Sequence, residues 1–256
     1  MITIKTKEDI EILREGGRRL ALILQEVAKA VKPGISTDTL NNIAEKMARD
    51  NGDLPAFLNY RPRGAKRAYP ASLCVSVNDE IVHGIPNEDP KILKEGDIVS
   101  LDMGLTHKGL ITDSAITVPV GKIDAATQKL LDTTKEALNA GIKVVKAGKH
   151  VGDIGFAVER VAKAAGYGVV EDLCGHGVGY EVHEDPYIPN YGEKGRGDIL
   201  KTGMVIAIEP MLNEGDKDII LADYEWTYKT SDGKKSAHFE HTIVVTSKGA
   251  EILTKI

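Results

Sequence analysis

The chain contains one motif twice, and each copy carries an acidic residue at the same position. Residues 93–105 read LKEGDIVSLDMGL, and residues 200–212 read LKTGMVIAIEPML. Aligned on their shared Leu-Lys start, the two segments set Asp102 against Glu209, each inside an apolar, strand-like run. Burying a carboxylate there is costly unless something compensates its charge. Acids at equivalent positions of a duplicated unit are expected to face each other across a pseudo-twofold axis, an arrangement that suits a cation.

The repeat extends beyond these two strands. Residues 31–52 and 145–166 each begin with Val-Lys, reach a glycine two residues later and continue with apolar residues at helical spacing. A second strand rich in β-branched residues follows each acid-bearing strand, and it opens with Asp113 in the first case and with Glu240 in the second. The period is far too long for a solenoid repeat. We therefore predict an α+β fold in which two similar halves build one site.

The length permits one large domain or two small ones, and the duplication favours a single domain over residues 1–256, with halves at about 1–125 and 126–256, because each half supplies only part of the acid cluster. Hydrophobic residues make up 42% of the chain and charged residues 28%, which leaves enough apolar side chains for a sizeable core. The net charge of −5 gives no reason to expect nucleic-acid binding. The N-terminus lacks a signal peptide, no apolar run is long enough to span a membrane, and the two cysteines have no disulfide-framework spacing. These features predict a cytoplasmic protein.

Local patterns predict most of the remaining elements. Thr6 and Asp9 form a capping-box pair ahead of apolar residues at helical spacing, and this helix stops at Pro33. The periodicity predicts helices over about 7–31, 37–50, 125–146 and 151–165, strands over 72–77 and 81–82, and an irregular loop over 52–71.

Five residues are candidates for holding a metal: Asp102, Asp113, His176, Glu209 and Glu240. Two acids brought together in a low-dielectric site cannot both stay ionised cheaply, and a divalent ion removes that cost. His176 lies between two glycines, where a histidine is poorly placed to fill a core. Ordinary alternatives stay open, namely Asp113 starting a turn, Asp102 pairing with a lysine and Glu209 lying on an edge strand. His241 is left out, because neighbours on a strand face opposite ways.

The candidate ligands are rich in oxygen, with one imidazole and no thiolate. Such donors suit hard or borderline divalent ions such as Mn, Fe(II), Co or Zn. Four carboxylates are more than one ion needs, so the set predicts two ions about 3.5–4 Å apart, with two acids bridging them. A centre of this kind is typical of hydrolases, because it activates a water and polarises the scissile carbonyl.

Several ordered motifs give the chain a family resemblance. They are NDEIVHGIP at 78–86, the Asp102 and Asp113 pair, GHGVG at 175–179, HEDP at 183–186, IEPM at 208–211 and FEHT at 239–242. Any one motif is a modest signal, whereas the ordered set is highly specific and covers essentially the whole chain. In these motifs the chain resembles the type I methionine aminopeptidases, which are metallopeptidases of the pita-bread fold.

The resemblance implies a role for each candidate ligand. Asp113 and Glu240 would bridge two divalent ions, and Asp102 would chelate the second ion. His176 and Glu209 would complete the coordination of the first. Glu209 would also shuttle a proton from the attacking water, so that its ligand and base roles overlap.

The resemblance also implies which residues meet the substrate. His83 and His183 would act in catalysis by contacting the substrate amide and the reacting carbonyl. A methionine pocket would be lined by Cys74, Tyr60, Tyr69 and Trp226. Ordinary core packing is the alternative for these pocket residues. An apolar pocket suits the soft, flexible thioether of methionine.

The implied reaction is the hydrolytic removal of the initiator methionine from nascent polypeptides whose second residue is small. Relatives also imply a monomer and a monovalent-cation site near Asn78 and Ser236. The chain departs from the common bacterial pattern at Phe57 and in a short basic insertion, Arg61–Ala68. That insertion is interpreted either as a solvated loop or as a rim that attracts a peptide or the ribosome. The departure leaves the exact pocket lining open.

Three other interpretations compete with this one. A prolidase or X-Pro aminopeptidase would carry an additional N-terminal domain, whereas this chain starts directly with the catalytic module. A creatinase-like enzyme would lack the metal ligands. A catalytically inactive relative that binds protein or RNA should have lost ligand positions, and all five are present.

Overall fold

The computed structural model describes residues 2–222 and 225–256. Four helices lie within these ranges: α1 (Lys7–Ala30), α2 (Thr37–Asp50), α3 (Ala125–Val144) and α4 (Val151–Ala165). The capping box of α1 is confirmed, because the Thr6 hydroxyl accepts from Asp9 N and the Asp9 carboxylate accepts from Thr6 N. Glycine ends α4, since Gly166 adopts a left-handed φ of 84° that glycine tolerates best. None of the helices in the described ranges is long and apolar enough to cross a membrane.

The strands of the first half are β1 (Leu54–Pro55), β2 (Cys74–Val77), β3 (Glu80–Val82), β4 (Ile98–His107) and β5 (Leu110–Pro119). Those of the second half are β6 (Gly168–Val169), β7 (Cys174–Gly177), β8 (Glu184–Pro189), β9 (Val205–Ile208), β10 (Met211–Asn213), β11 (Ile219–Leu221), β12 (Tyr228–Thr230), β13 (Ser236–His238), β14 (Glu240–Val245) and β15 (Ala250–Ile252).

A central antiparallel sheet joins the two halves. Its strand order is β1-β4-β5-β14-β9-β7-β8, with β2 added beside β4 and β15 beside β14. The halves meet where β5 pairs with β14, in a register that sets Ala115 against Glu240. Two smaller sheets, β13-β10-β6 and β11-β12-β3, lie beside it. The predicted α+β architecture of two similar halves around an antiparallel sheet is confirmed.

Each half packs a pair of helices against its own strands. In the first half, Leu20 of α1 and Leu40 of α2 share a buried cluster with Leu101 and Met103 of β4. In the second half the corresponding cluster contains Leu138, Ile154, Ile206 and Ile243, from α3, α4, β9 and β14. Successive strand residues point to opposite faces. Asp102, which lies between Leu101 and Met103, therefore points to the face away from the helices.

The differences from the predicted elements are small. Asp113 is the fourth residue of β5 instead of its first, because β4 and β5 form a long hairpin whose pairing begins at His107 and Leu110. The strand predicted over 72–77 begins at Cys74. The loop predicted over 52–71 contains the two-residue strand β1, which pairs with the end of β4. Such short edge pairings have no periodicity that a sequence pattern could reveal.

Candidate metal centre

The five predicted ligand residues converge on one cavity from five different strand regions. Its lining includes all of them: Asp102 of β4, Asp113 of β5, His176 of β7, Glu209 just after β9 and Glu240 at the start of β14. The cavity opens toward solvent. The turn and edge-strand alternatives for the acids are wrong, since each acid lies beside the sheet centre and lines the cavity.

Distances within the cluster are those of a site that could hold a cation. One ligand atom from each of Asp113, His176 and Glu240 lies within 4.8 Å of the other two. His176 Nε2 lies 3.4 Å from Glu209 Oε1 and 4.0 Å from Asp113 Oδ2. The backbone around Asp113 is fixed by Thr242, whose hydroxyl accepts from Asp113 N at 2.9 Å and donates to Asp113 O at 2.7 Å.

Several atoms of the cluster are acceptors without donors. His176 Nδ1 lies 2.9 Å from the carbonyl oxygen of Gly177, which can only accept, so Nδ1 carries the proton and Nε2 presents a lone pair. Among the described residues, Asp102 Oδ1, Asp113 Oδ1 and Glu240 Oε1 are buried without a hydrogen-bond partner. Buried acceptors without donors are costly. A divalent cation would satisfy all of these atoms at once, so the residues present fit a metal.

Burial and mutual repulsion dominate the acid–base properties of the cluster. Burial raises the pKa of Asp102, Glu209 and Glu240 well above their ordinary values, and the neighbouring charge of Asp113 raises each of them further. Burial also raises the pKa of Asp113 to about 7. For His176, burial and the nearby His183 lower the pKa to about 3. The imidazole is therefore neutral near pH 7, as a metal ligand must be.

The glycines beside His176 serve close backbone packing. A Cβ on Gly175 would lie 2.3 Å from Ala207 O, and one on Gly177 would lie 2.2 Å from Asp185 O. The neighbouring strand β9 and the residues that begin β8 therefore approach β7 too closely for any side chain. Both glycines are thus explained by close backbone packing around His176.

His83 and His183 both line the cavity. His83 has a positive φ of 57°, a conformation that costs energy for a non-glycine residue and is common at functional sites. The His183 ring lies 4.4 Å from the His176 ring centroid, and its Nδ1 is 2.7 Å from the Tyr60 hydroxyl. Burial, with a contribution from His183, lowers the pKa of His83 to about 4, and burial lowers the pKa of His183.

The predicted pocket residues form the apolar wall of the same cavity, which is lined by Tyr60, Tyr69, Cys74 and Trp226 together with Phe57. The Tyr69 and Trp226 rings meet edge to face at 5.3 Å, and the Tyr69 hydroxyl donates to Gly84 O at 2.8 Å. Burial raises the pKa of the Cys74 thiol well above its ordinary value, so this side chain stays protonated and apolar. Phe57 is an additional lining residue, at the position where the sequence departs from the common pattern.

The residues that flank the basic insertion, Arg61–Ala68, are paired with each other beside the pocket wall. Tyr69 N donates to Tyr60 O at 2.9 Å, which pairs the residues at the two ends of the loop. Lys66 forms an ion pair with Glu225, and Arg67 makes two hydrogen bonds to Glu88. The insertion therefore lengthens the rim without removing either tyrosine from the pocket.

Two features near the site were not predicted from the sequence. Lys5 and Glu184 form a buried ion pair at 2.6 Å, and Glu184 also accepts from Tyr180 N, which ties the N-terminal segment to the loop that carries His183. His238 ends β13, is buried beside Glu209 and lies two residues before Glu240, which begins β14. Its closeness in sequence to a predicted ligand was the one available signal for it. Ser236 N donates to Asn78 O at 2.9 Å, so the two residues expected near a monovalent cation are in contact.

Comparison with known proteins gives consistent matches. The model of metallopeptidase family M24 matches residues 11–247. The chain is 44% identical to methionine aminopeptidase 1 of Bacillus subtilis over 256 residues, covering all of both chains. It is 45% identical to the methionine aminopeptidase of Aquifex aeolicus, covering 100% of this chain and 99% of that one.

Solved structures distinguish the nearest alternatives. The crystal structure of methionine aminopeptidase from Rickettsia prowazekii superposes with a TM-score of 0.94 at 39% identity, covering all of both chains. An Xaa-Pro dipeptidase from Bacillus anthracis gives 0.75 at 25% identity, and the match covers 99% of this chain and 62% of that one. The prolidase alternative therefore shares the fold at a clearly lower similarity. The chain belongs to metallopeptidase family M24, and within it to the methionine aminopeptidases.

Proposed function

We propose that this chain is a dinuclear metallo-aminopeptidase that removes the initiator methionine from nascent polypeptides with a small second residue. One observation carries the proposal: a cluster of buried acceptors without donors lies at the base of an aromatic cavity. The relatives that the chain matches over their full length are named methionine aminopeptidases. The acceptor cluster therefore supports the metal requirement, and the relatives independently support the substrate.

The proposed ligands are divided between two ions. Asp113 and Glu240 would be shared by both ions, Asp102 would hold one of them, and the other would be completed by His176 and Glu209. Co, Mn, Fe(II) and Zn all suit these donors. When bound, such ions polarise a carbonyl oxygen and lower the pKa of a water.

The side chains of the chain itself would orient the peptide and move the protons. Glu209 would accept a proton from the attacking water and deliver it to the amine that leaves, so that the C–N bond is replaced by a carboxyl group and a new N-terminus. His83 and His183, held neutral by burial, would donate to the substrate amide and to the reacting carbonyl. The contact between Tyr60 and His183 would keep that ring oriented.

The methionine side chain would enter the cavity between Tyr69 and Trp226. The protonated Cys74 and the two aromatic rings offer an apolar, polarizable wall, and sulfur–aromatic contacts are favourable by about 0.3–1.5 kcal/mol each. Phe57 extends this wall. Selection for a small second residue would require a cramped site next to the reacting carbonyl.

Further proposals concern the protein as a whole. We propose that residues 1–256 form one catalytic domain, because each half contributes only part of the acid cluster. It would work as a cytoplasmic monomer on peptide N-termini. A monovalent cation would bind near Asn78 and Ser236, and the loop Arg61–Ala68 would meet either solvent or the ribosome transiently.

Hydrolysis of Met-Ala-Ser and Met-Leu-Ser tests this function. We expect no cleavage after metal removal with EDTA, and cleavage of Met-Ala-Ser alone after addition of Mn or Co. Elemental analysis of the reloaded protein should give two ions per chain. Bound metal without cleavage of either peptide would overturn the proposal in favour of an inactive, binding relative. Equal cleavage of both peptides would refute the restriction to a small second residue.

A further inference from the structure

His238 is a buried imidazole whose ring nitrogens are both unpaired. Its exposure is 1%, and neither Nδ1 nor Nε2 has a hydrogen-bond partner among the described residues. A buried polar group left without a partner costs about 1–3 kcal/mol. Native structures satisfy most such groups. An apolar residue would avoid this cost, so the position calls for a reason to hold an imidazole.

The backbone at His238 is rigidly placed. Thr117 Oγ1 accepts from His238 N at 2.9 Å and donates to His238 O at 2.7 Å. On the other side β13 pairs with β10, setting His238 against Met211, two residues after Glu209. The ring consequently reaches the far side of Glu209, with Nε2 lying 3.7 Å from Glu209 Oε2.

Glu209 therefore lies between two imidazoles that differ in character. On one side its Oε1 is 3.4 Å from His176 Nε2, which presents a lone pair because Nδ1 donates to Gly177 O. A lone pair repels a carboxylate oxygen unless a cation lies between them. On the other side His238 can present an N–H, because neither of its nitrogens is committed elsewhere. His238 is thus the neighbour that can attract Glu209 whether or not metal is bound.

We propose that His238 is a positioning residue for Glu209, whose Oε2 accepts a hydrogen bond from the Nε2–H of His238 and whose Oε1 is thereby turned toward His176 and the metal centre. The inference rests on the proposed function, because it assigns Glu209 the ligand and proton-transfer role. The separation of 3.7 Å exceeds a direct hydrogen bond by about 0.5–1 Å. We expect rotation about the last side-chain bond of Glu209, a broad and soft torsion, to close that gap.

The chemistry requires a neutral ring with its proton on Nε2. A neutral imidazole carries one proton, on either nitrogen, and only the Nε2–H form can donate to Glu209 Oε2. Outer partners of this kind fix the orientation of a metal ligand, and their loss typically costs about 10–100-fold in metal affinity or activity.

Two substitutions at this position separate positioning from packing. His238→Met keeps an apolar side chain of similar length without an N–H, whereas His238→Gln keeps an amide N–H that can donate. For His238→Met we expect metal affinity of the metal-free protein, measured by calorimetric titration with Mn, and kcat on Met-Ala-Ser to fall about 10–100-fold, with KM changed less than threefold. His238→Gln should restore both to within about threefold of the original protein.

The matched control is His107→Gln. His107 is also a buried imidazole, but it bonds to Asp53 outside the cavity, so this change should alter thermal stability and leave Mn affinity unchanged. Unchanged Mn affinity and kcat in His238→Met would overturn the proposal. Equal impairment of His238→Met and His238→Gln would also overturn it, by assigning His238 a packing role.

One measurement uses the unsubstituted protein and therefore tests the proposal even if His238→Met does not fold. Nitrogen-15 spectra of the histidine rings report which nitrogen carries the proton. We expect the Nε2–H form for His238, with a shift of that signal in Glu209→Gln. The Nδ1–H form would overturn the proposal. Calorimetry and the spectra need no peptide turnover. The role of His238 can therefore be tested even if the aminopeptidase assay fails.

Discussion

Asp113→Asn should stabilise the metal-free protein at pH 8. It should also remove most of the rise in thermal stability that divalent metal gives. The reason is the uncompensated charge of the acid cluster, in which burial raises the pKa of Asp113 from 3.8 to about 7. A carboxyl whose pKa is higher in the folded than in the unfolded state holds its proton more tightly when folded. Folding therefore loses stability as pH rises from about 4 to 7, and the full penalty applies above pH 7.

The size of the effect follows from the same two pKa values. At 1.36 kcal/mol per pH unit, a rise from 3.8 to about 7 corresponds to about 4 kcal/mol. Asparagine carries no charge and adds an N–H₂ donor among acceptors, so it escapes this penalty. We expect Asp113→Asn to match the original protein near pH 4 and to exceed it by about 2–4 kcal/mol at pH 8. For a chain of this size that is a rise in Tm of roughly 5–15 °C.

Thermal unfolding followed by circular dichroism in EDTA, from pH 4 to 8, measures this difference. A second series with added Mn should raise the Tm of the original protein, because a ligand that binds only the folded state stabilises it. The variant should respond far less, since a ligand shared by both ions is lost. Asp172→Asn removes the same charge from an exposed loop and should change neither series. A variant less stable than the original at pH 8 in EDTA, or a difference independent of pH, would refute the reasoning.

Three further substitutions test the remaining roles. Glu240→Ala should reduce kcat by about 10³-fold or more, because it removes a ligand proposed to hold both ions. Elemental analysis should show lost metal. Near-normal activity would refute the bridging assignment. His183→Ala should lower kcat by about 10²–10³-fold, the usual cost of losing a donor to a developing oxyanion, with metal content intact; lost metal would instead make His183 a ligand. Trp226→Ala should raise KM for Met-Ala-Ser roughly 10-fold with kcat little changed, as expected for the loss of an apolar contact made equally before and during reaction.

The acids of the centre were predictable because strand periodicity and duplication both apply to them. Asp102 lies between the core residues Leu101 and Met103, so alternation alone sends it to the opposite face. Because Asp102 is equivalent to Glu209, a second acid is expected in the other half, across the line where β5 pairs with β14. The pocket residues, in contrast, came from family resemblance, since nothing in the spacing of Tyr60 and Tyr69 predicts that they pair with each other.

The supporting contacts were not predictable, because they join parts of the chain that no pattern relates. The ion pair of Lys5 with Glu184 depends on how the N-terminal segment crosses the sheet, where Lys5 N donates to Gly203 O. The aromatic lining by Phe57 depends on a close approach to Gly104, where a Cβ would lie 2.7 Å from the Phe57 ring. Both follow from three-dimensional packing of irregular segments.

The duplication accounts for the acids and fails for the histidines, and this failure has a chemical meaning. Asp113 and Glu240 are equivalent, yet the position two residues earlier is Ile111 in the first half and His238 in the second. His176 with its close glycines likewise belongs to the second half alone. A symmetric set of acids can hold two ions, but the two sides of a scissile carbonyl need different groups, one to receive a proton and one to donate a hydrogen bond. His176 and His238 supply that difference, because their Nε2 atoms lie 3.4 Å and 3.7 Å from the two carboxylate oxygens of Glu209. Glu209 is therefore the acid whose orientation the second half controls, as its proposed part in proton transfer requires.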